Sequence, residues 1–168
     1  LLLIGAYGDD DFGTNAGAIY GYANPKLQPV VRFEEGMQLQ TKILPVNGVT
    51  GDVFGRSIVL TADGKTCIIG SDKNDDLAVT AGCVSIYNRI NNDWVFEQKL
   101  YANDPIAEDK FGYSAAISSN GIHLLIGSPD KKNSGVRTGK VYYFKKISGT
   151  WTQIAKFTPS DANLADYF

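Results

Sequence analysis

The sequence predicts an all-β protein made of repeated, four-stranded antiparallel sheets, and three observations support this. A motif recurs at constant spacing, short runs rich in Val, Ile, Tyr and Phe alternate with turn residues, and no segment keeps a helical apolar period over two turns. The chain has 168 residues, of which 43% are hydrophobic and 20% charged. This composition indicates a folded domain and excludes disordered or collagen-like chains.

The repeat is the strongest signal. The segment Asp52-Val-Phe-Gly-Arg-Ser57 recurs 57 residues later as Asp109-Lys-Phe-Gly-Tyr-Ser114, and Asp166-Tyr-Phe168 begins a further copy at the same step. The first unit is eight residues longer, and its extra residues lie between Gly17 and Lys42. The repeat therefore divides the chain into a first unit at 1–51, a second at 52–108, a third at 109–165 and the start of a fourth at 166–168.

Each unit is expected to contain four short strands, A to D, which in the middle unit are predicted at 54–61, 65–70, 82–88 and 94–102. Asp63-Gly64 and Asn120-Gly121 join strands A and B, and both dipeptides favour tight primed turns. Both faces of most strands are apolar or aromatic, so each sheet must be covered on both sides. A β-propeller blade meets this requirement, and about three blades form only part of a ring. The fold is one propeller domain or part of one.

The repeat resembles the FG-GAP family, whose blades form integrin alpha-subunit heads. Phe54-Gly55 with Ile69-Gly70, and Phe111-Gly112 with Ile126-Gly127, carry the resemblance, which covers the whole chain. It implies the propeller fold and an integrin alpha-like surface protein, but it does not specify a function. In a tight A–B hairpin, the Phe-Gly and Ile-Gly pairs lie side by side. The two phenylalanines are therefore expected to fill the space between blades.

Calcium is the cofactor that the acidic loops suggest. Integrin-type blades often bind it between strands A and B, but here those connections are too short to wrap a cation that needs six to eight oxygens. The B–C loops carry oxygen side chains at calcium-loop spacing, in the second unit Asp72, Asn74, Asp76 and Thr80, and in the first Asp9, Asp11 and Asn15. Leu77 stands where such a loop needs glycine, so solvated hairpin loops remain the alternative.

The residues that could carry catalysis are sparse. His123 is the only histidine, which excludes a metal site with several histidines. It opens strand B of the third unit, where a structural or exposed place is expected, and we predict no enzyme activity. Cys67 and Cys83 lie on strands B and C of one blade and are expected to be buried free thiols. Trp94 and Trp151 recur in register, which favours packing over sugar stacking.

The function predicted is non-catalytic recognition or adhesion by an extracellular or surface protein, with a protein or glycan bound at the blade rim loops. Further candidate contact residues on these loops and on the insertion in the first unit are Asp10, Asp75, Lys131, Lys132, Arg137 and Lys26. The rest of the propeller, or another copy, would complete the ring. With a net charge of −2 and no long run of like charges, neither nucleic acid nor membrane insertion is expected. The alternatives are a structural assembly module and part of an enzyme whose active site lies in other blades.

Overall fold

The computed structural model describes residues 1–23, 38–129, 132–133, 136–137 and 139–160. Strands account for all the regular secondary structure in these residues. Their bounds are β1 Leu2–Ala6, β2 Ala18–Ala23, β3 Gln38–Ile43, β4 Ser57–Leu60, β5 Thr66–Ser71, β6 Cys83–Ile90, β7 Asp93–Leu100, β8 Ser114–Ile117, β9 His123–Ser128, β10 Lys132–Asn133, β11 Val136–Arg137, β12 Lys140–Ile147 and β13 Thr150–Phe157.

The strands form three main antiparallel sheets, which we call blades 1, 2 and 3. Their strand orders are β1-β2-β3, β4-β5-β6-β7 and β8-β9-β12-β13, and β10 pairs with β11 in a separate small hairpin. The all-β fold of repeated antiparallel blades is therefore confirmed, and the blades do not close a ring. Strand A of blade 2 begins at Ser57 rather than at the predicted residue 54, because Val53 and Gly55 have φ values of 60° and 95°. A strand cannot include these left-handed conformations.

The primed-turn prediction for the A–B connections was wrong. In these turns only Gly64 and Gly121 have positive φ, while the residues before them do not, so the turns are wider than the two-residue primed type. Two consecutive positive φ values occur instead at the C–D turns, at Asn91-Asn92 (51° and 73°) and at Ser148-Gly149 (49° and 86°). Asparagine and glycine tolerate this conformation best, which explains their presence at those two turns.

The core lies between the blades, as the apolar character of both sheet faces predicted. Phe54 is fully buried between blades 1 and 2, with its ring edge-on to Tyr87 at a centroid distance of 6.1 Å. Phe111 has the same place between blades 2 and 3, where its ring centroid is 5.2 Å from that of Tyr142. Trp151 packs in this second cluster. The expectation that the two phenylalanines fill the inter-blade space is confirmed.

The glycines of the repeat allow the backbones of successive blades to touch. A Cβ placed on Gly70 would overlap the carbonyl oxygen of Gly112, and one on Gly5 would overlap that of Gly55. Ser57 adds a hydrogen bond, because its hydroxyl donates to the Gly112 carbonyl oxygen at 2.9 Å. The Ile-Gly and Phe-Gly pairs thus form a main-chain joint between one blade and the next.

Candidate functional site

One edge of the three blades carries the B–C loops and the connections that lead into the next blade. We call this edge the upper rim, and define it by residues 7–17, 44–56, 72–82 and 101–113. The B–C loops of blades 1 and 2 are bonded to the connections beside them, since Phe54 N donates to Ala16 O at 3.0 Å and Phe111 N donates to Ala81 O at 2.9 Å. The predicted calcium loops are therefore held in place by main-chain hydrogen bonds.

The acidic residues of the first loop contact a lysine of the outer strand. Lys42 donates to Asp9 Oδ2 at 2.8 Å and also to Asp11 Oδ2. The lysine, together with the Tyr20 hydroxyl, lowers the pKa of Asp9. Asn15 does not join this cluster through its side chain in any described contact. Its main-chain N–H is instead bonded to Asp10 Oδ1 at 2.7 Å.

The second loop repeats this arrangement with different partners. Asp76 accepts hydrogen bonds from Lys99 at 2.8 Å and from Tyr101 at 2.7 Å. Burial raises the pKa of Asp76, but these two donors outweigh it and the net shift is downward. Thr80 N donates to Asp75 Oδ1 at 2.5 Å, the counterpart of the bond from Asn15 to Asp10.

In the second loop, the oxygen side chains proposed as calcium ligands have separate neighbours. The Asn74 amide donates to Asp52 Oδ2 at 3.2 Å, while Asp72 faces Arg56, whose Nε lies 4.0 Å from Asp72 Oδ2. Within the described residues, no group of three His, Cys, Asp or Glu side chains is arranged to hold a metal ion. The calcium site stays a prediction, which a calorimetric titration of the chain with calcium would test.

Of the remaining predicted contact residues, the structure describes two, which lie in a separate hairpin. Lys132 and Arg137 are register partners in the β10–β11 pairing, while Lys131 and Lys26 fall outside the described residues. The insertion that contains Lys26 joins the end of β2 to the start of β3. Those strand ends lie at the sheet edge opposite the upper rim, because β2 runs away from the 7–17 loop. The attachment points of the insertion are therefore not on the rim that carries Asp9 and Asp76.

The lowered pKa of Asp9 leads to a pH prediction. Ionised Asp9 stabilises the native state fully above its ordinary pKa of 3.8, and this contribution is lost as the pH falls through the lower native value. Wild type should therefore exceed the Asp9→Asn variant in unfolding free energy near neutral pH, and the difference should shrink below about pH 4. Urea unfolding between about pH 7 and pH 2 measures this. A difference that stays constant across that range would contradict it.

A cleft of about 1010 Å³ opens on the inner side of the upper rim and is lined by residues from all three blades. At its centre the Arg56 guanidinium lies over the Tyr113 ring, 4.3 Å from the centroid, and 5.9 Å from that of Tyr7. Asp72 is 3% exposed and stands behind the arginine. Stacking on an aromatic face and a carboxylate behind it limit the positions that the guanidinium can take.

The charge of the cleft is mainly positive. Arg56, Lys73 and Lys110 line it, and Asp72 is the one acidic residue among its described lining residues. Burial raises the pKa of Asp72 against the opposing effect of the three cations, and Asp72 Oδ1 is buried with no hydrogen-bond partner in the described structure. A cleft of this kind can bind a polar ligand that carries negative charge.

Sequence reasoning missed this cleft, although the repeat contains a signal for it. Arg56 and Tyr113 occupy the same repeat position, directly after Phe-Gly, and Tyr7, Asp72 and Pro129 share another, two residues after Ile-Gly. Blade packing fixes the Phe-Gly and Ile-Gly pairs but leaves these neighbouring positions free to differ. The sequence signal for the cleft was therefore that these positions differ between the repeats, while the Phe-Gly and Ile-Gly pairs beside them do not.

The candidate reactive residues have structural places. Cys67 and Cys83 are buried and not disulfide-bonded, as predicted, and burial raises the pKa of each thiol to about 12. His123 begins β9, and its Nδ1 lies 2.7 Å from the hydroxyl of Tyr143. Trp94 packs against the core between blades 1 and 2, which agrees with a packing role.

Comparison with known proteins agrees with this architecture. Residues 94–144 match the sequence model of the FG-GAP repeat family, a stretch that runs from β7 of blade 2 to β12 of blade 3. No curated protein matches the chain significantly. The described residues include no helix long and apolar enough to cross a membrane. Residues 94–144 are therefore similar to an FG-GAP repeat, and the chain has the all-β architecture of β-propeller blades.

Proposed function

We propose that the chain is a non-catalytic recognition module of a surface or secreted protein, and that it binds a protein or glycan at the upper rim. The observation that carries this proposal is the cleft at Arg56, where three blades contribute residues to one concave, positively charged surface. Ligand sites are usually concave and place a few oriented polar groups within a largely apolar lining. Val53, Pro129 and Val141 supply apolar lining here.

Exposed apolar side chains on the upper rim support the same proposal. They recur at equivalent repeat positions in blades 1 and 2, as Phe12 (47% exposed) with Leu77 (52%) and Val49 (52%) with Ile106 (41%). The loops that carry these side chains are bonded to the connection into the next blade, so they present a fixed surface. Exposed apolar groups on a fixed surface can contribute to a protein interface.

The role of Arg56 in binding can be tested with ligand libraries of broad chemistry. The immobilised chain is screened against a glycan array and a random-peptide display library, and each ligand recovered is titrated against Arg56→Gln. We expect at least a tenfold loss of affinity, since the variant removes a charged hydrogen-bond donor at the centre of the cleft. Lys145→Gln is the matched control, because Lys145 is an exposed cation on β12 that does not line the cleft.

Three results would reject the proposal. The first is that neither library yields a ligand for the wild-type chain. The second is that the recovered ligands bind Arg56→Gln as tightly as wild type while circular dichroism shows both proteins folded. Equal losses in Arg56→Gln and Lys145→Gln would show attraction by overall charge rather than recognition in the cleft, and would also reject it.

A further inference from the structure

The chain contains two Asn-Gly pairs, Asn47-Gly48 and Asn120-Gly121. The first lies on the upper rim, in the connection from blade 1 to blade 2, and the second lies in the A–B turn of blade 3. Asparagine is one of the thermolabile residues of proteins, because its side-chain amide can be lost. The loss is easiest before glycine, which has no side chain to hinder the main-chain nitrogen that attacks. Both pairs can therefore deamidate unless the fold prevents it.

Deamidation of such a pair needs only water and hydroxide. The glycine N–H loses its proton to hydroxide, and the nitrogen then forms a bond to the side-chain carbon Cγ of the asparagine. The bond from Cγ to the amide nitrogen breaks, and that nitrogen takes a proton from water and leaves as ammonia. Water then opens the cyclic imide at one of its two carbonyl carbons, which gives aspartate or isoaspartate. The ring forms only where the asparagine side chain can move and the glycine N–H is accessible.

The pair in blade 3 is held by three hydrogen bonds. Asn120 Oδ1 accepts from the Ser118 hydroxyl at 2.6 Å and from the Ile122 N–H at 3.1 Å. The N–H of Gly121 donates to Ser118 O at 2.9 Å. The first two bonds fix the side-chain carbonyl, and the third covers the proton that hydroxide must remove. The turn therefore protects this pair, although Asn120 itself is exposed.

The pair on the upper rim has no such protection. Asn47 is also exposed, and its side chain forms no hydrogen bond with any described residue. Within the described part of the chain, the Gly48 N–H donates no main-chain hydrogen bond of normal length and angle. The local backbone nevertheless favours this reactive pair. Asn47 has a φ of 54°, which asparagine tolerates, and a Cβ on Gly48 would overlap the ring of Pro45.

We propose that Asn47 is a site of spontaneous deamidation, and that the A–B turn of blade 3 preserves Asn120. The reaction at Asn47 puts a new carboxylate on the upper rim, two residues before the exposed side chain of Val49. The isoaspartate product also adds one carbon to the main chain of this connection. The charge and the shape of the rim therefore change as the protein ages. This inference does not rest on the ligand proposed for the cleft.

Peptide mapping by mass spectrometry tests this, with the chain incubated in mildly alkaline buffer at body temperature. In the folded chain we expect Asn47 to react at least about tenfold faster than Asn120, because the hydrogen bonds of the blade 3 turn must open first. Incubation in urea removes both local structures, so the two rates should converge. Ser118→Ala is the matched variant, since it removes one bond to Asn120 Oδ1. It should raise the rate at Asn120 severalfold and leave the rate at Asn47 unchanged.

Four results would overturn the proposal. Similar rates at Asn47 and Asn120 in the folded chain would show that the two environments do not differ in protection. A preference for Asn47 that persists in urea would assign it to the neighbouring sequence instead of the fold. Absence of product at Asn47 in the folded chain would show that the rim protects this pair as well. An unchanged rate at Asn120 in Ser118→Ala, with the variant folded by circular dichroism, would contradict protection by the turn.

Discussion

The variant Gly70→Ala is expected to lose about 3 kcal/mol of unfolding free energy, the upper part of the range for overpacked sites. The added Cβ would overlap the Gly112 carbonyl oxygen, which is a main-chain atom and cannot rotate away. Relief therefore requires blades 2 and 3 to separate. That movement would weaken the Ser57 hydrogen bond and the apolar cluster around Phe111. Urea unfolding at neutral pH measures the loss.

Gly127→Ala is the matched control, because Gly127 has the same repeat position on blade 3. There the closest atom to the new Cβ is the Ser114 hydroxyl oxygen, which can turn to another rotamer. We expect the monomer to lose about 1 kcal/mol or less, as for a small, locally relieved overlap. Equal losses for the two variants would show that contact with the next blade is not what Gly70 provides.

The variant Asp109→Ala is expected to lose about 3–5 kcal/mol, the cost of leaving a buried charge without its partner. Lys140 has no solvent exposure, and its ammonium lies 2.8 Å from Asp109 Oδ2. It also donates to the Tyr142 hydroxyl at 2.8 Å. Removal of the carboxylate leaves the lysine beside a neutral hydroxyl, with Asp104 3.7 Å away as the remaining carboxylate.

Two further variants separate the effect of burial from that of charge. Lys156→Ala removes a pair in which Lys156 and Asp104 are 37% and 39% exposed, so we expect a loss of less than about 1 kcal/mol. The double replacement Asp109→Leu with Lys140→Met should recover most of the stability lost by Asp109→Ala, since apolar residues of similar volume commonly substitute for a buried ion pair. A loss for Asp109→Ala as small as that for Lys156→Ala would contradict the burial argument.

The blades could be predicted from the sequence because one period determines them. The 57-residue repeat contains strands that are apolar on both faces, which requires the sheets to pack face to face. The repeat also predicted that Phe54 and Phe111 fill the space between blades. The ends of the strands were less predictable. Val53 has a positive φ of 60°, as its repeat counterpart Lys110 does at 55°, although its β-branched side chain favours a strand.

The cleft and the buried ion pair were not predictable in the same way, because each joins residues that are distant along the chain. Arg56 precedes the first strand of blade 2 and contacts Tyr113, which precedes the first strand of blade 3. Lys140 begins β12 and binds Asp109, which lies in the connection before β8. In the sequence, Lys140 is notable only because the equivalent residues of the other units are Ala18 and Cys83. A lysine within a buried strand needs an acidic partner, and only the fold identifies which acid that is.

The joint between blades also bears on how such a chain can grow. Gly5 with Gly55, and Gly70 with Gly112, meet through main-chain atoms, which every copy of the unit possesses whatever its side chains are. A duplicated gene segment of this length would therefore encode a blade that already fits its parent. The rim and cleft positions of the new copy would then be free to diverge, as Arg56 and Tyr113 have done. Tandem duplication can thus lengthen this protein and vary its surface without new packing at the joint.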